Sequence, residues 1–374
     1  MVSKTNQLPD KKLLNVVFAL MALGWLMVLS ASIHQGYGYA IKQALFIFIG
    51  LFAGFLVLKN PISLFKKYST HLFLLTLIFL VLVFMPGLGH EAGGSTRWIK
   101  LPLFNFQPSE MLKLTMIFFL SAFLIRQEED IRKPWVGVGK TVIIFSIPAL
   151  LLMLETDFGA TVILAAITFG LVFSAGIYLK ELIGLILILG SAGLLFISLN
   201  PVRSKRFFDF WATDLWSNNS DKVDQTKQAL IGIARGEWSG TGIGAGIQKY
   251  VKLPEAHTDM IFAVIGEELG IFGMLGVLAL YAFIIVKGFE ISKVALQKGR
   301  KFSSYLANGI CIWFAVQISV NVAMNIGLIP IKGWTLPLIS YGGSSLIFAI
   351  IAIAILVRID MENRASYEKQ KHFV

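Results

Sequence analysis

Pro254-Glu255-Ala256-His257-Thr258-Asp259 runs straight into Met260-Ile261-Phe262-Ala263-Val264-Ile265-Gly266-Glu267-Glu268-Leu269-Gly270. Four carboxylates and a histidine thus stand at, or just inside, the start of a long apolar run. A segment of that kind belongs at the edge of a bilayer, where ionisable groups are expensive and usually mark a site. Asp259 falls where water, headgroups and hydrocarbon meet, which makes it the first candidate for chemistry.

The rest of the chain supports a membrane reading. Of 374 residues, 56% are hydrophobic and 15% charged, against roughly 25% charged in soluble proteins. Apolar runs recur near 13–33, 40–58, 72–88, 109–126, 136–154, 158–175, 180–199, 260–286, 303–328 and 339–357. Each approaches the ~20 residues that cross the hydrocarbon as a helix. The runs are continuous rather than alternating, so helices are expected and not a barrel. The expectation is an all-α, polytopic integral membrane protein of about ten spans, forming one domain over 1–374. The apolar stretch from Leu13 to Ile33 is too long for a typical cleaved signal and reads as a first span.

A net charge of +11 suggests nucleic acid, but the basic residues flank apolar spans and form no polar domain, so that class is excluded. Cys311 is the only cysteine and allows no internal disulfide. With a cytoplasmic N-terminus, Lys59, Lys66, Lys67, Arg126, Arg132, Lys133, Lys180, Lys287, Arg300, Lys301 and Arg358 fall on the cytoplasmic side. The short loops opposite hold only Lys42, Arg97, Lys100 and Lys332. That asymmetry puts both termini in the cytoplasm. It also puts the long connection 200–258, ahead of the eighth span, outside.

A connection of that length is unusual without a function. It holds Arg203, Lys205 and Arg206, a segment at 223–234 with helical apolar spacing, and glycines alternating at Gly240, Gly242, Gly244 and Gly246. No strand precedes these glycines and no Gly-Lys-Ser/Thr follows, so they are not a nucleotide loop.

Other polar residues of the outer face each have a plain reading beside a functional one. Arg97, next to Trp98, is an interfacial anchor or a phosphate contact. Glu110 and Lys113, three apart on one helix face, read first as a structural ion pair. Glu155-Thr156-Asp157 is a solvated turn, or a pair of carboxylates holding a cation or a helix end. Arg203 and Arg206 are loop charges or forks for pyrophosphate. Glu267 and Glu268 suit capping or pairing. His257 has no second histidine at metal spacing. Lys332–Leu346, with Pro337 and the pair Gly342-Gly343, predicts irregular backbone that must line a cavity or be buried.

Taken together, Leu253–Gly270, Lys332–Leu346, Ser95–Trp98 with Gln107–Lys113, and Asp157-Phe158-Gly159 resemble the SEDS family of membrane glycosyltransferases that polymerise peptidoglycan. Within it, Pro254–Asp259, Leu338–Ser345 and Arg358-Ile359-Asp360-Met361-Glu362 resemble the division type more than the elongation type. The resemblance implies lipid II and a lipid-linked glycan strand as substrates, joined in β-1,4 linkage by an inverting displacement at the septum. It implies Asp259 as the essential general base and Glu110–Lys113 as an intramembrane ion pair. Arg97, Arg203, Arg206 and Lys249 become candidates for the substrate's phosphates, His257 and Ser344 for substrate contacts, and Asp157 and Glu255 for supporting roles. A divalent cation, Mg2+ or Mn2+, is left open as a helper. The implied partners are a class B penicillin-binding transpeptidase and other division membrane proteins, in the bacterial cytoplasmic membrane. One departure stands out: the family commonly has Gln-Pro-Asp where this chain has Glu155-Thr156-Asp157. A lipid II flippase, an elongation-type polymerase and a non-catalytic scaffold are the rival readings.

Overall fold

The computed structural model describes residues 9–92, 95–100, 105–131, 133–198, 204, 221–251 and 253–371. In chain order the helices are α1 (Lys11–Ser32), α2 (Gly38–Lys59), α3 (Ile62–Leu82), α4 (Pro108–Arg126), α5 (Glu128–Ile131), α6 (Val136–Leu154), α7 (Phe158–Ser174) and α8 (Leu179–Ser198), followed by α9 (Asp221–Gly236), α10 (Gln248–Val251), α11 (Ile261–Gln297), α12 (Lys301–Asn325) and α13 (Gly343–Lys371). Between α3 and α4 a small antiparallel sheet, β1 (Gly89–Ala92), β2 (Ser95–Lys100) and β3 (Asn105–Phe106), is strung in sequence order. Among the described residues, eight helices are long and apolar enough to cross a bilayer, and α7 is a shorter apolar one. The protein is an integral membrane protein.

Helices occupy all ten stretches expected from hydropathy, with shifted boundaries in the third, eighth and last. The third begins at Ile62, ten residues before 72. Lys66 and Lys67 depress the hydropathy of its first turns, but lysine stems lie along a helix and lift their ammonium groups to the surface. The eighth span continues past 286 to Gln297, and the last starts at Gly343 rather than 339. Residues 336–340 form instead a closed turn in which the Leu336 amide donates to Ser340 Oγ at 2.7 Å.

α4 and α13 are the most enclosed spans, with 78% and 83% of their apolar windows buried. α13 packs along α2 and α4, while α12 joins α11, α7 and α4 around them. α2 and α3 turn Phe48, Phe52, Phe55, Leu74 and Ile78 outward. Exposing a side chain of this size to water costs about 1.5–3 kcal/mol each, so this face is solvated by lipid.

α11 carries an internal break. Gly270 sits at φ 67°, ψ −169°, a region essentially open only to glycine. The break frees backbone groups at membrane depth, and the glycine-rich segment after α9 satisfies them. The Ile271 amide donates to Glu237 O at 2.9 Å, and the Thr241 and Gly242 amides donate to Glu267 O and Glu268 O at 3.0 Å each. The same segment is held by side chains. Glu267 accepts from Arg235 Nη1 at 2.8 Å and the Ile247 amide at 2.7 Å. Glu268 accepts from Lys249 Nζ at 2.6 Å, Ser30 Oγ at 2.8 Å and the Gly244 amide at 3.0 Å. The expected interfacial helix over 223–234 is present as α9, and it packs on α11 through Ala229 and Ile233 rather than lying alone.

Candidate active site

Asp259 stands one turn ahead of α11, in the loop Pro254–Met260, and is 6% exposed. What fixes it is a pair of asparagines on α12. Asn321 and Asn325 are four apart and so share one face. Both donate through Nδ2 to the Asp259 carbonyl, at 3.0 and 2.9 Å. Asn325 also accepts the Ala263 amide at 2.9 Å, closing the first turn of α11. Asn321 Nδ2 reaches the Trp334 carbonyl as well. The 332–341 segment is thereby bound to the same clamp, and Gly333 lies against Asp259 Oδ2.

Burial pushes the Asp259 carboxyl up to about 7, and the neighbouring charge of Glu255 adds to this; the Thr258 hydroxyl and the Gly333 amide oppose it. Loss of solvation penalises the charged form, and the outcome is a carboxylate poised near neutral pH. Glu255 itself is exposed and accepts from Thr258 Oγ1 at 2.8 Å. His257 is packed among rings, 4.2 Å from Tyr39 and 5.6 Å from Tyr341 between centroids, and its carbonyl accepts the Tyr341 amide at 2.9 Å. Burial lowers its basicity below the usual histidine range, so at neutral pH it offers an uncharged ring.

The 332–341 segment also ties Asp259 to the turn between α6 and α7. Gly159, at the start of α7, lies so close under Trp334 that an added Cβ would sit 1.9 Å from Nε1. Lys332 Nζ lies 5.9 Å from the centre of the Phe158 ring. Asp157 caps α7 by accepting the Ala160 amide at 3.0 Å, and Arg97 Nη1 lies 3.8 Å from its Oδ1. Arg97, a quarter exposed, is 5.1 Å from the Trp98 ring centre. The 332–341 segment therefore links the loop of Glu255, His257 and Asp259, through Gly333 and Trp334, to the turn that carries Asp157 and its neighbour Arg97.

Other expected residues go elsewhere. Lys113 pairs with Glu110 at 2.7 Å, donates to Gln317 Oε1 at 3.0 Å and lies 4.9 Å from the Trp313 ring centre. Gln317 Nε2 in turn donates to the Thr335 carbonyl at 2.8 Å, so this ion pair braces the 332–341 segment from below. Lys249 was expected at the phosphates, and the structure corrects this. Its ammonium is fully buried and donates to Glu268, Ser30 Oγ and Gly244 O, which uses all three protons. Ser344 was expected at the substrate, yet its hydroxyl accepts the Gln107 amide at 3.0 Å and faces Asn105 O at 3.3 Å. It joins α13 to β3. Arg203 and Arg206 lie outside the described residues. Among the described residues, no group of three or more His, Cys, Asp or Glu is placed to hold a metal, so the donors at the mouth do not by themselves fit a divalent ion.

Asn321, Asn325, Gln317 and Lys332 were not singled out from sequence. The first two had a signal: two amides four residues apart in an apolar span are subject to the same argument as a charge there.

A bundle of membrane-spanning helices with a buried carboxyl poised near neutral pH beside one span is an integral membrane protein with a candidate catalytic group there. The family model described as cell cycle protein, FtsW–RodA–SpoVE, matches residues 11–365, and the chain belongs to that family. It is 41% identical over 370 residues to the probable peptidoglycan glycosyltransferase FtsW of Legionella pneumophila, covering 97% of this chain and 93% of that one. It is 40% identical to the protein of the same name from Hahella chejuensis, over 94% and 90% of the two chains. Two solved structures share the fold. One is a chain from a peptidoglycan synthase complex described for its coordination of polymerization and crosslinking, with TM-score 0.80 and 24% identity over 95% of this chain and 98% of that one. The other is the rod shape determining protein RodA of Thermus thermophilus, with TM-score 0.70 and 24% identity over 95% and 97%.

Proposed function

We propose that this chain polymerises lipid II into β-1,4-linked glycan for the division septum, with Asp259 as general base. That it is a peptidoglycan glycosyltransferase follows from its family and from relatives of that name over nearly its whole length. The acceptor sugar's 4-hydroxyl attacks the anomeric carbon of the lipid-linked chain. Its proton passes to Asp259, and the bond to the lipid pyrophosphate breaks with inversion. Such a step needs a base within hydrogen-bond reach of the hydroxyl and cations facing the leaving phosphates. The cations assigned to them are Lys332, in the 332–341 segment, and Arg97, beside the α6–α7 turn on which that segment packs. A divalent ion taking part would draw its remaining ligands from the pyrophosphate, and no step here depends on one.

The observation that carries this reading is the buried Asp259 carboxyl, poised near 7 and clamped through its carbonyl by Asn321 and Asn325. The lysine and arginine asymmetry supports a periplasmic mouth and cytoplasmic termini. A class B penicillin-binding transpeptidase is the proposed partner, in keeping with the synthase complex that shares this fold. The test is Asp259→Asn, which keeps the shape and removes the base. The purified, folded variant should lose at least about a hundredfold in lipid II polymerisation, the usual scale for an acid–base group. The wild-type rate should climb through pH 7 as the proton leaves Asp259. Glycan formation by the variant at the wild-type rate would remove Asp259 from the chemistry. Leaflet exchange of lipid II without glycan would favour a flippase.

A further inference from the structure

The turn between α6 and α7 holds a carboxyl that the proposed chemistry does not use. Glu155 is 1% exposed, and neither carboxyl oxygen has a hydrogen-bond partner among the described residues. Buried polar groups are nearly always paired, so this one calls for a reason. Its neighbour has a matching vacancy: Arg97 Nε is also buried and has no partner among the described residues. The 3.8 Å between Arg97 Nη1 and Asp157 Oδ1 is longer than a formed hydrogen bond, so the guanidinium is not locked where it stands. The backbone keeps the two residues together, since Ser95 Oγ donates to the Glu155 carbonyl at 2.6 Å and Thr156 Oγ1 to Ser95 Oγ at 2.9 Å.

The charged groups that act on Glu155 are Asp157 on its own turn and Arg97 on β2. Burial pushes the Glu155 carboxyl up to about 9, with Asp157 adding to the effect and Arg97 opposing it. At neutral pH the group is therefore a carboxylic acid with one donor and one acceptor. It has nearly the outline and the neutrality of the glutamine that the SEDS pattern commonly carries here.

We propose that Glu155 is a positioning residue for Arg97: uncharged, it leaves the guanidinium beside Asp157 and partly open to the substrate's phosphates, and on ionising it draws the guanidinium inward and empties that contact. The proposal rests on Arg97 serving the pyrophosphate. Two carboxylates then compete for one guanidinium, and the unpaired Nε gives the inner one a donor. The alkaline limit of the enzyme is set at Glu155, whereas its acid limit is set at Asp259.

The experiment compares wild type with Glu155→Gln. Lipid II polymerisation is followed from pH 6 to 10 in detergent, and KM is resolved from kcat. In the wild type KM should rise, and kcat/KM fall about tenfold per pH unit above about 9, the slope of one ionisation. In Glu155→Gln the neutral-pH rate should persist and the alkaline rise in KM should vanish. An identical alkaline fall in both proteins, or a variant already impaired at neutral pH, overturns the proposal. Infrared difference spectra of the same two proteins test it without substrate. A protonated carboxyl band should be present in wild type at neutral pH, fade near pH 9 and be missing from Glu155→Gln. Its absence from wild type sinks the proposal even in an active enzyme, whereas its presence in a protein that makes no glycan sinks only the polymerase reading.

Discussion

Replacing Asn325 with alanine tests whether the position of Asp259 is set from α12. The side chain makes three close hydrogen bonds, to the Asp259 carbonyl at 2.9 Å, to the Asn321 carbonyl at 2.8 Å and from the Ala263 amide at 2.9 Å, and a longer approach to Asn321 Oδ1 at 3.4 Å. The Ala263 amide retains a second acceptor, Met260 O at 3.1 Å, and the Asp259 carbonyl retains Asn321. No group is fully orphaned. At about 0.6–1 kcal/mol per interhelical or buried bond, the stability loss should be about 2–3 kcal/mol, and the protein should still fold in detergent. The catalytic loss should be larger than that figure suggests, because a base shifted by about 1 Å costs on the order of a hundredfold in rate. We expect kcat to fall ten- to a hundredfold with KM nearly unchanged. Asn321→Ala should behave similarly. The double variant should lose more than the sum of the two, since both amides serve one carbonyl. The assay is lipid II polymerisation with a melting curve on the same preparation. A double variant that melts normally and polymerises at the wild-type rate would refute the clamp, and with it the geometric case for Asp259.

Two further substitutions separate structural charges from functional ones. Lys249→Met leaves Glu268 as an uncompensated buried charge, which typically costs about 3–5 kcal/mol; melting should drop sharply while KM for lipid II in the surviving folded protein stays put, and a raised KM at unchanged stability would return Lys249 to the phosphates. Gly159→Ala drives a methyl into the Trp334 indole, which should displace the segment beside Asp259. Polymerisation should fall severalfold or more with little change in melting, and a fully active variant would show that Trp334 and Gly333 do not have to hold their places.

Much of the architecture was legible because hydrocarbon imposes a simple rule on sequence. A run of about twenty apolar residues has one stable form there, so all ten stretches could be placed. The errors fell where that rule is weakest. Lys66 and Lys67 hid the first turns of α3, and the turn at 336–340 was too apolar to be told from helix by hydropathy. At the mouth, the Pro254–Asp259 loop was conspicuous because charge stands beside a span. Lys249 misled for the same reason: a lysine in an outer loop reads as available, and nothing in its own neighbourhood announces Glu268, nineteen positions on. Asn321 and Asn325 hold Asp259 from a helix more than sixty residues away, a pairing made by packing alone. Arg203 and Arg206 lie outside the described residues and stay as expectations of the resemblance.

The charged groups singled out on the outer side of the bundle differ in how completely they are satisfied. Lys113 has Glu110, Gln317 and the Trp313 ring. Glu267 has Arg235 and two loop amides, and Glu268 has Lys249, Ser30 and the Gly244 amide. Each is a closed set, and a closed set cannot respond to a substrate. It holds loops and helices in one arrangement, here by seating the 237–249 segment against the break at Gly270. Around the site, Glu155 and Arg97 have buried atoms without partners among the described residues, and Asp259 is only loosely bonded. Among the described side chains, the Asp259 carboxylate has only a 3.4 Å approach from Thr258 Oγ1, while its backbone is firmly held. Arg97 stands off from Asp157, and Glu155 has no partner among the described residues. A group fully bonded in the resting protein would have to break those bonds in order to bind a transition state. Asp259 and Arg97, left short on backbone that is firmly held, gain their interactions only when substrate arrives, whereas Glu155 acts through Arg97. Rate acceleration requires this of a catalytic site, since only contacts stronger in the transition state than before it lower the barrier. The incomplete groups and the rigid ones meet along 332–341, bonded to Asn321 and Gln317 on one side and pressed against Gly159 on the other. That segment transmits the order of the scaffold to a mouth whose own charges are kept waiting.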